Sequence, residues 1–254
     1  MDYKNRFKEI DELKKILDGY RPLNSDILRQ IQEYYKIRLT YTSNAIEGNT
    51  LDLAETKVVL EDGLTINGKP LKDHLEAMGH AGAFDLLLKL ADNGIITEND
   101  IKALHNLFYS KIDNTLAGCY RTKQVIVTGA DVDFPMPSEI GGKMKKFIND
   151  IYELKQSVHP VEYAAMIHAL FVNIHPFIDG NGRVARLLMN LALLQAGYNI
   201  TVIPPVVRAD YIRALQHSNH NDFKPFVNFI SEMVLESQKE YLRIVKKLTG
   251  NNKE

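Results

Sequence analysis

The chain has no tryptophan and a single cysteine, Cys119. One cysteine excludes an intramolecular disulfide and a cysteine-rich zinc module. Neither sign of charge dominates: 31 Lys+Arg stand against 32 Asp+Glu, a formal net charge of −1. Counterion release from a polyanion needs clustered Lys and Arg, so this balance supports neither a broad nucleic-acid binder nor an anionic-membrane binder. No run of about 18 uninterrupted apolar residues occurs, and no charged segment followed by an apolar core opens the chain. The expectation is an ordinary globular protein of the cytoplasm, with no nucleic-acid or membrane partner. What is present is length and apolar content: 254 residues, 45% of them hydrophobic, enough for a substantial core in one large domain or two small ones.

Nearly every segment has helical spacing. Phe7, Ile10, Leu13, Ile16 and Leu17 recur on one face until Asp18-Gly19. Ser25 reads as an N-cap for a helix bearing Ile27, Leu28, Ile31, Tyr34, Tyr35 and Leu39. A short helix follows Asp52, then a turn-rich link over 63–70. Leu75, Met78, Ala81, Ala83, Leu86, Leu87 and Leu90 predict a longer helix that ends at Asn93-Gly94. Thr97 with Asp100 starts another, as a weak capping box. Ser138 and Pro160 open two more, and 183–196, 208–218 and 222–248 complete an all-α pattern. The exception is Arg121-Thr-Lys-Gln-Val-Ile-Val-Thr128, rich in Val, Ile and Thr and followed by Gly129. It predicts a small β-hairpin, which must lie on something to be stable.

The stretch His175-Pro-Phe-Ile-Asp179-Gly-Asn-Gly-Arg183-Val-Ala-Arg186 lies between two helix signals. Gly180 and Gly182 flank Asn181 where a helix begins, so the backbone can bend sharply and approach a ligand closely. The free N–H groups of a first helical turn form an anion site. Arg183 and Arg186 are three apart and share a helix face; their planar forks suit phosphate. Asp179 is a hard oxygen ligand of the kind that holds Mg²⁺ together with substrate phosphates. His175 can take a proton near neutral pH. Base, metal ligand, anion cradle and two arginines together describe attack on a phosphate.

This stretch resembles the signature of the Fic family, HxFx[D/E]GNGRxxR, at every defining position. The resemblance runs from about Thr42 to the segment 225–230. It implies a Fic-type helical bundle with a β-hairpin flap over about 121–134, a catalytic core over 63–248, a helical N-terminal region over 1–62 and a frayed tail over 249–254, all in one globular unit. It implies transfer of AMP from ATP to a Ser, Thr or Tyr hydroxyl of a target protein. His175 is then the general base and Asp179 the Mg²⁺ ligand. Gly180, Asn181, Gly182 and Arg183 hold the α- and β-phosphates, and Arg186 meets the γ-phosphate. Val127, Thr128 and Gly129 of the flap lie near the nucleotide, and the flap binds the target as an added strand. Tyr211 and Asn219 match family positions near the adenosine. Cys119 reads as a small packing residue, and His217 with His220 lacks the partners of a zinc site.

Ser43-Asn-Ala-Ile-Glu47-Gly-Asn49 ends a helix, with Gly48 or Asn49 as its C-cap. Read locally, Glu47 is a solvated charge. The segment also matches the family's inhibitory motif, [S/T]xxxE[G/N], through Ser43, Glu47 and Gly48. The resemblance implies that Glu47 pairs with Arg186 in place of the γ-phosphate and blocks productive ATP binding. Three alternatives stand beside autoinhibited AMP transfer: hydrolysis of an AMP–protein bond with Glu47 orienting water, a non-catalytic adaptor for nucleotide or peptide, and phosphate transfer of the Doc kind. The glycine-bearing loop and second arginine weigh against the last. The resemblance also carries a homodimer as an expectation. No feature names the target.

Overall fold

The computed structural model describes residues 3–126 and 133–250. Ten α-helices fill that span: α1 (Phe7–Asp18), α2 (Ser25–Ile46), α3 (Leu53–Glu61), α4 (Leu71–Leu90), α5 (Glu98–Tyr109), α6 (Pro137–Leu154), α7 (Pro160–Ile174), α8 (Asn181–Gln195), α9 (Arg208–His217) and α10 (Lys224–Leu248). Short 3-10 turns occupy Ala91–Asn93, Pro205–Val207 and Ser218–His220. No helix among the described residues is long and apolar enough to cross a membrane. All-α architecture is therefore what the helical spacing predicted.

The predicted hairpin is not seen in its described part. Residues 121–126 and 133–136 carry no strand. Val127, Thr128 and Gly129 lie outside the described residues. Side chains hold the two described ends together instead: Arg121 Nη2 donates to the Pro135 carbonyl at 2.6 Å and Gln124 Nε2 donates to the Phe134 carbonyl at 2.8 Å.

Several helix starts fall where their capping residues require. Asp52 and Glu55 close a reciprocal capping box on α3, and Thr97 with Asp100 closes another on α5. The cap of α2 is Asn24, whose side chain accepts from the Ile27 N–H, one residue before the predicted Ser25. Helix α6 begins at Pro137, with the Glu139 carboxylate taking the Met136 N–H, rather than being capped by Ser138.

The core is built around α8. Its residues 183–193 are buried without a break, so it has no solvent face. Helices α7, α4 and α5 pack on it, while α10 closes the far side against α1, α7 and α9. Ile10, Ile31, Tyr35, Leu39 and Ile46 of α1 and α2 enter the same apolar cluster as the residues of α8. At the crossing of α4 and α5, a Cβ on Gly79 would run into the Phe108 carbonyl, so only glycine permits this approach. The C-terminus of α2 thereby reaches the N-terminus of α8, which creates the site.

Candidate active site

The turn between α7 and α8 is held in an unusual backbone path. His175 caps α7 in the left-handed region, φ 50° and ψ 58°. A non-glycine residue there carries strain, and such strain gathers at functional positions. Gly180 caps the start of α8, also left-handed at φ 79°. A Cβ on Gly180 would strike the Phe108 ring. The Asn181 side chain closes the loop on itself: Oδ1 accepts from the Phe177 N–H at 2.9 Å and Nδ2 donates to the Phe177 carbonyl at 2.8 Å. Asn181 therefore shapes the turn with its side chain and leaves only its backbone to a ligand.

Two residues outside the turn brace it. Arg121, 3% exposed, donates from Nε to the His175 carbonyl at 2.9 Å, while its backbone N–H reaches the Pro176 carbonyl at 2.9 Å. His105 accepts the Gly118 N–H on Nδ1 at 2.8 Å, which leaves its proton on Nε2 to reach the Asp179 carbonyl at 3.2 Å. Its ring stacks on Phe177 with centroids 3.7 Å apart. Burial pulls the His105 pKa down to about 4, so the ring is neutral, as this pair of bonds requires. Sequence reading missed both residues, because neither stands near the turn in the chain.

The His175 ring packs against Phe134, centroids 4.4 Å apart. Burial, aided by the Arg121 charge, pulls its pKa down to about 4, against the contrary pull of the Val172 carbonyl, Glu47 and Asp179. His175 is thus a neutral imidazole at any ordinary pH, with an open valence for a proton.

Asp179 Oδ1 accepts from the Gly180 N–H at 2.6 Å and from Arg183 Nη2 at 2.8 Å. Its Oδ2 lies 3.5 Å from Lys72 Nζ. Burial tends to raise this carboxyl, but Arg183, the Gly180 N–H and Lys72 outweigh it and the pKa falls. The group is an ionised, partly exposed oxygen donor. No cluster of three His, Cys, Asp or Glu side chains suited to a metal occurs among the described residues. A cation here would draw its remaining ligands from phosphate and water, which is the habit of Mg²⁺.

Arg183 and Arg186 are both buried on α8, at 4% and 2% exposure. Arg183 Nη1 donates to Glu76 Oε1 at 2.8 Å, and its guanidinium lies over the Phe108 ring at 4.4 Å. Arg186 is enclosed by α2 and α9. Nε donates to Ser43 Oγ at 2.9 Å, Nη2 to the Ser43 carbonyl at 2.8 Å and to Glu47 Oε1 at 2.7 Å, and Nη1 to the Tyr211 hydroxyl at 3.2 Å. Burial tends to raise the Glu47 carboxyl, but the two arginines outweigh it and its pKa is lowered. Glu47 ends α2 in a Schellman arrangement: Gly48, φ 96°, sends its N–H to the Ala45 carbonyl at 3.1 Å, and Asn49 sends its own to the Asn44 carbonyl at 3.1 Å. The carboxylate lies so close over Gly182 that a Cβ there would collide with it.

Comparison with known proteins follows this geometry. A profile of the Fic/DOC family matches residues 95–193. Protein adenylyltransferase Fic of Drosophila mojavensis is 37% identical over 243 residues, covering 93% of this chain and 47% of its own. The solved structure of Fic-1 (aa134–508) from C. elegans superposes with a TM-score of 0.84 at 32% identity, covering 95% of this chain and 72% of that one. The chain belongs to the Fic family. A Fic domain containing signaling protein from Bacteroides thetaiotaomicron VPI-5482 also matches, with a TM-score of 0.84, 28% identity, and 95% and 97% of the two chains covered. The chain spans about half the length of the curated relatives it matches.

Against the Fic signature, the structure brings His175, Asp179, Gly180, Gly182, Arg183, Arg186, Ser43 and Glu47 into one site. Tyr211 stands behind Arg186, 2% exposed, with its hydroxyl also 2.9 Å from His168 Nε2. Asn219 lies on a separate rim. It lines an open cavity of about 760 Å³ with Gln124, Asp133, Phe134 and Asn173. Phe134 links that cavity to His175. Glu76 and Lys72 were not anticipated; an i,i+4 charged pair on α4 was the available signal.

Proposed function

We propose that this chain transfers AMP from ATP to a hydroxyl of a target protein and holds itself inactive through Glu47. The supporting observation is the Glu47–Arg186 pair: a carboxylate seated in an anion cradle made by two buried arginines and the N-terminus of α8. A site that takes a carboxylate there takes a phosphate by the same donors. The names of the relatives supply the reaction class.

In the mechanism, Arg183, Gly182 and the first turn of α8 bind the α- and β-phosphates, and Arg186, once Glu47 leaves it, binds the γ-phosphate. His175, neutral, accepts the proton of the incoming hydroxyl as that oxygen attacks the α-phosphorus. Pyrophosphate leaves on the opposite side, its growing charge met by the arginines. Asp179 would hold Mg²⁺, which would supply charge neutralisation across the phosphates. The adenosine would extend towards the rim that carries Asn219. The segment of about 121–134 would bind the target as an added strand, with Val127, Thr128 and Gly129 near the nucleotide.

A second reading is hydrolysis of an AMP–protein bond. It is favoured by the ionised state of Glu47, about a third exposed at 33%, which suits it to orient water. One experiment separates these readings. Wild-type and Glu47→Gly protein are incubated with ATP and Mg²⁺, and separately with AMP-modified target, and the products are read by intact mass. A shift of AMP in Glu47→Gly supports transfer. Release of AMP by the wild type supports hydrolysis. A shift of phosphate sinks both.

A further inference from the structure

Glu76 on α4 is a buried carboxylate, 5% exposed, with both oxygens committed. Oε1 accepts from Arg183 Nη1 at 2.8 Å; Oε2 accepts from Asn49 Nδ2 at 2.9 Å. Asn49 is fixed in that orientation, since its Oδ1 accepts the Leu51 N–H at 3.0 Å and its Nδ2 also reaches the Asp73 carbonyl at 3.0 Å. Asp73, one turn earlier on α4, takes the Thr50 N–H at 2.7 Å and the Thr50 hydroxyl at 2.6 Å. One face of α4 therefore grips the turn just after Glu47 and, with the same carboxylate, the first arginine of the phosphate cradle. Lys72 Nζ stands 3.6 Å from Glu76 Oε1 and is too exposed to replace either partner.

A buried carboxylate left with one bare oxygen is costly, so each partner of Glu76 holds the other in place. If the turn 47–49 swings out, Asn49 leaves Oε2, and the Arg183 pair must readjust.

We propose that Glu76 is a positioning residue that couples the inhibitory turn to Arg183, so that release of Glu47 and alignment of the phosphate-binding arginine are one linked equilibrium. This rests on the AMP-transfer reading for its catalytic half. Linkage runs both ways: whatever orders Arg183 on phosphate favours one position of the turn, and the turn in turn biases Arg183.

The test is a double-mutant cycle on the full chain. Glu76→Gln keeps the shape of the side chain but sets an amide N–H against a donor, either Asn49 or Arg183. Asn49→Ala removes only the turn contact. Each variant and the pair are measured in the wild-type and Glu47→Gly backgrounds for AMP transfer, and by hydrogen exchange of the amides of 47–51. In the wild-type background Asn49→Ala should raise AMP transfer about 3- to 10-fold, both single changes should speed exchange at 48–50, and the double variant should exchange there like Glu76→Gln alone. In the Glu47→Gly background, Glu76→Gln should lower kcat about 10-fold with KM for ATP changed less than about 3-fold. Asn49→Ala should there have no further effect on derepression. Additive single effects, or a Glu76→Gln protein with unaltered kcat and exchange, overturn the proposal. If Glu76→Gln does not fold, Asn49→Ala decides: no derepression and no faster exchange overturns it. If Glu47→Gly binds ATP yet transfers no AMP, the functional reading fails instead, and the exchange cycle still decides whether Glu76 holds the turn.

Discussion

Glu47 Oε1 lies 2.7 Å from Arg186 Nη2, although 139 residues separate them in the chain. The contact joins the C-cap of α2 to the second turn of α8. Arg186 gives its remaining bonds to Ser43 and Tyr211, so the guanidinium is held whether or not Glu47 is present. Removing Glu47 should therefore free an anion site without dismantling it.

The first expectation follows directly. A charge-assisted bond of this kind contributes roughly 1.5–3 kcal/mol, which corresponds to about ten- to a hundred-fold. Glu47→Gly should raise AMP transfer, to itself or a target, by tens-fold. Equal rates in the two proteins at saturating ATP and Mg²⁺ would remove the inhibitory assignment.

His175→Ala in the Glu47→Gly background should abolish transfer while ATP binding stays measurable by calorimetry. The pH profile is the companion measurement. A base with a pKa of about 4 is already free of its proton at pH 8 and at pH 6, so kcat/KM should not fall across that interval through His175. A fall centred near 6.5 would mean that His175 titrates as an ordinary histidine.

Acid stability has its own window. Burial depresses the pKa values of His80 to about 3, of His105 to about 4, and of His168 well below its ordinary value. A histidine whose folded pKa is depressed contributes stability that is complete above the unfolded pKa near 6.5 and is lost as pH falls below it. Each should cost on the order of 1 kcal/mol by pH 5.5, so the melting temperature should drop by several degrees between pH 7 and 5.5. An unchanged melting temperature would contradict the neutral, buried state of these rings.

Tyr211→Phe should separate stability from chemistry. It strips an acceptor from Arg186 Nη1 and a partner from His168 Nε2, both buried. The loss should be about 1–3 kcal/mol in thermal or urea unfolding. In the Glu47→Gly background it should also weaken ATP through a loosened Arg186. Unaltered stability would show that Tyr211 is not their partner in solution.

Much of this molecule was legible from its residues alone, for identifiable reasons. The helix starts after Asp52 and Thr97 and at Pro160 are local signals, and the structure uses each of them. The signature turn is local too, since its histidine, carboxylate and arginines follow one another on a single loop and helix start. What sequence did not disclose is what leans on that turn. Arg121 and His105 brace it from other elements, and nothing in their own neighbourhoods marks them. The polar residues of α4 are spread around the helix, so no clear stripe marks Asp73, Glu76 and His80 as buried. The partners of the Tyr211 hydroxyl, Arg186 and His168, were likewise not visible in the sequence around it.

Phe108 binds two distant demands into one residue. Its carbonyl meets the backbone of α4 at Gly79, and its ring forms the floor beneath Gly180 and the Arg183 guanidinium. A single added methyl on α4 would lift that floor from below, without touching any group that meets a nucleotide. This close joint of the scaffold and the seat of the proposed reaction therefore share one residue, and at position 79 drift in one cannot be absorbed without drift in the other.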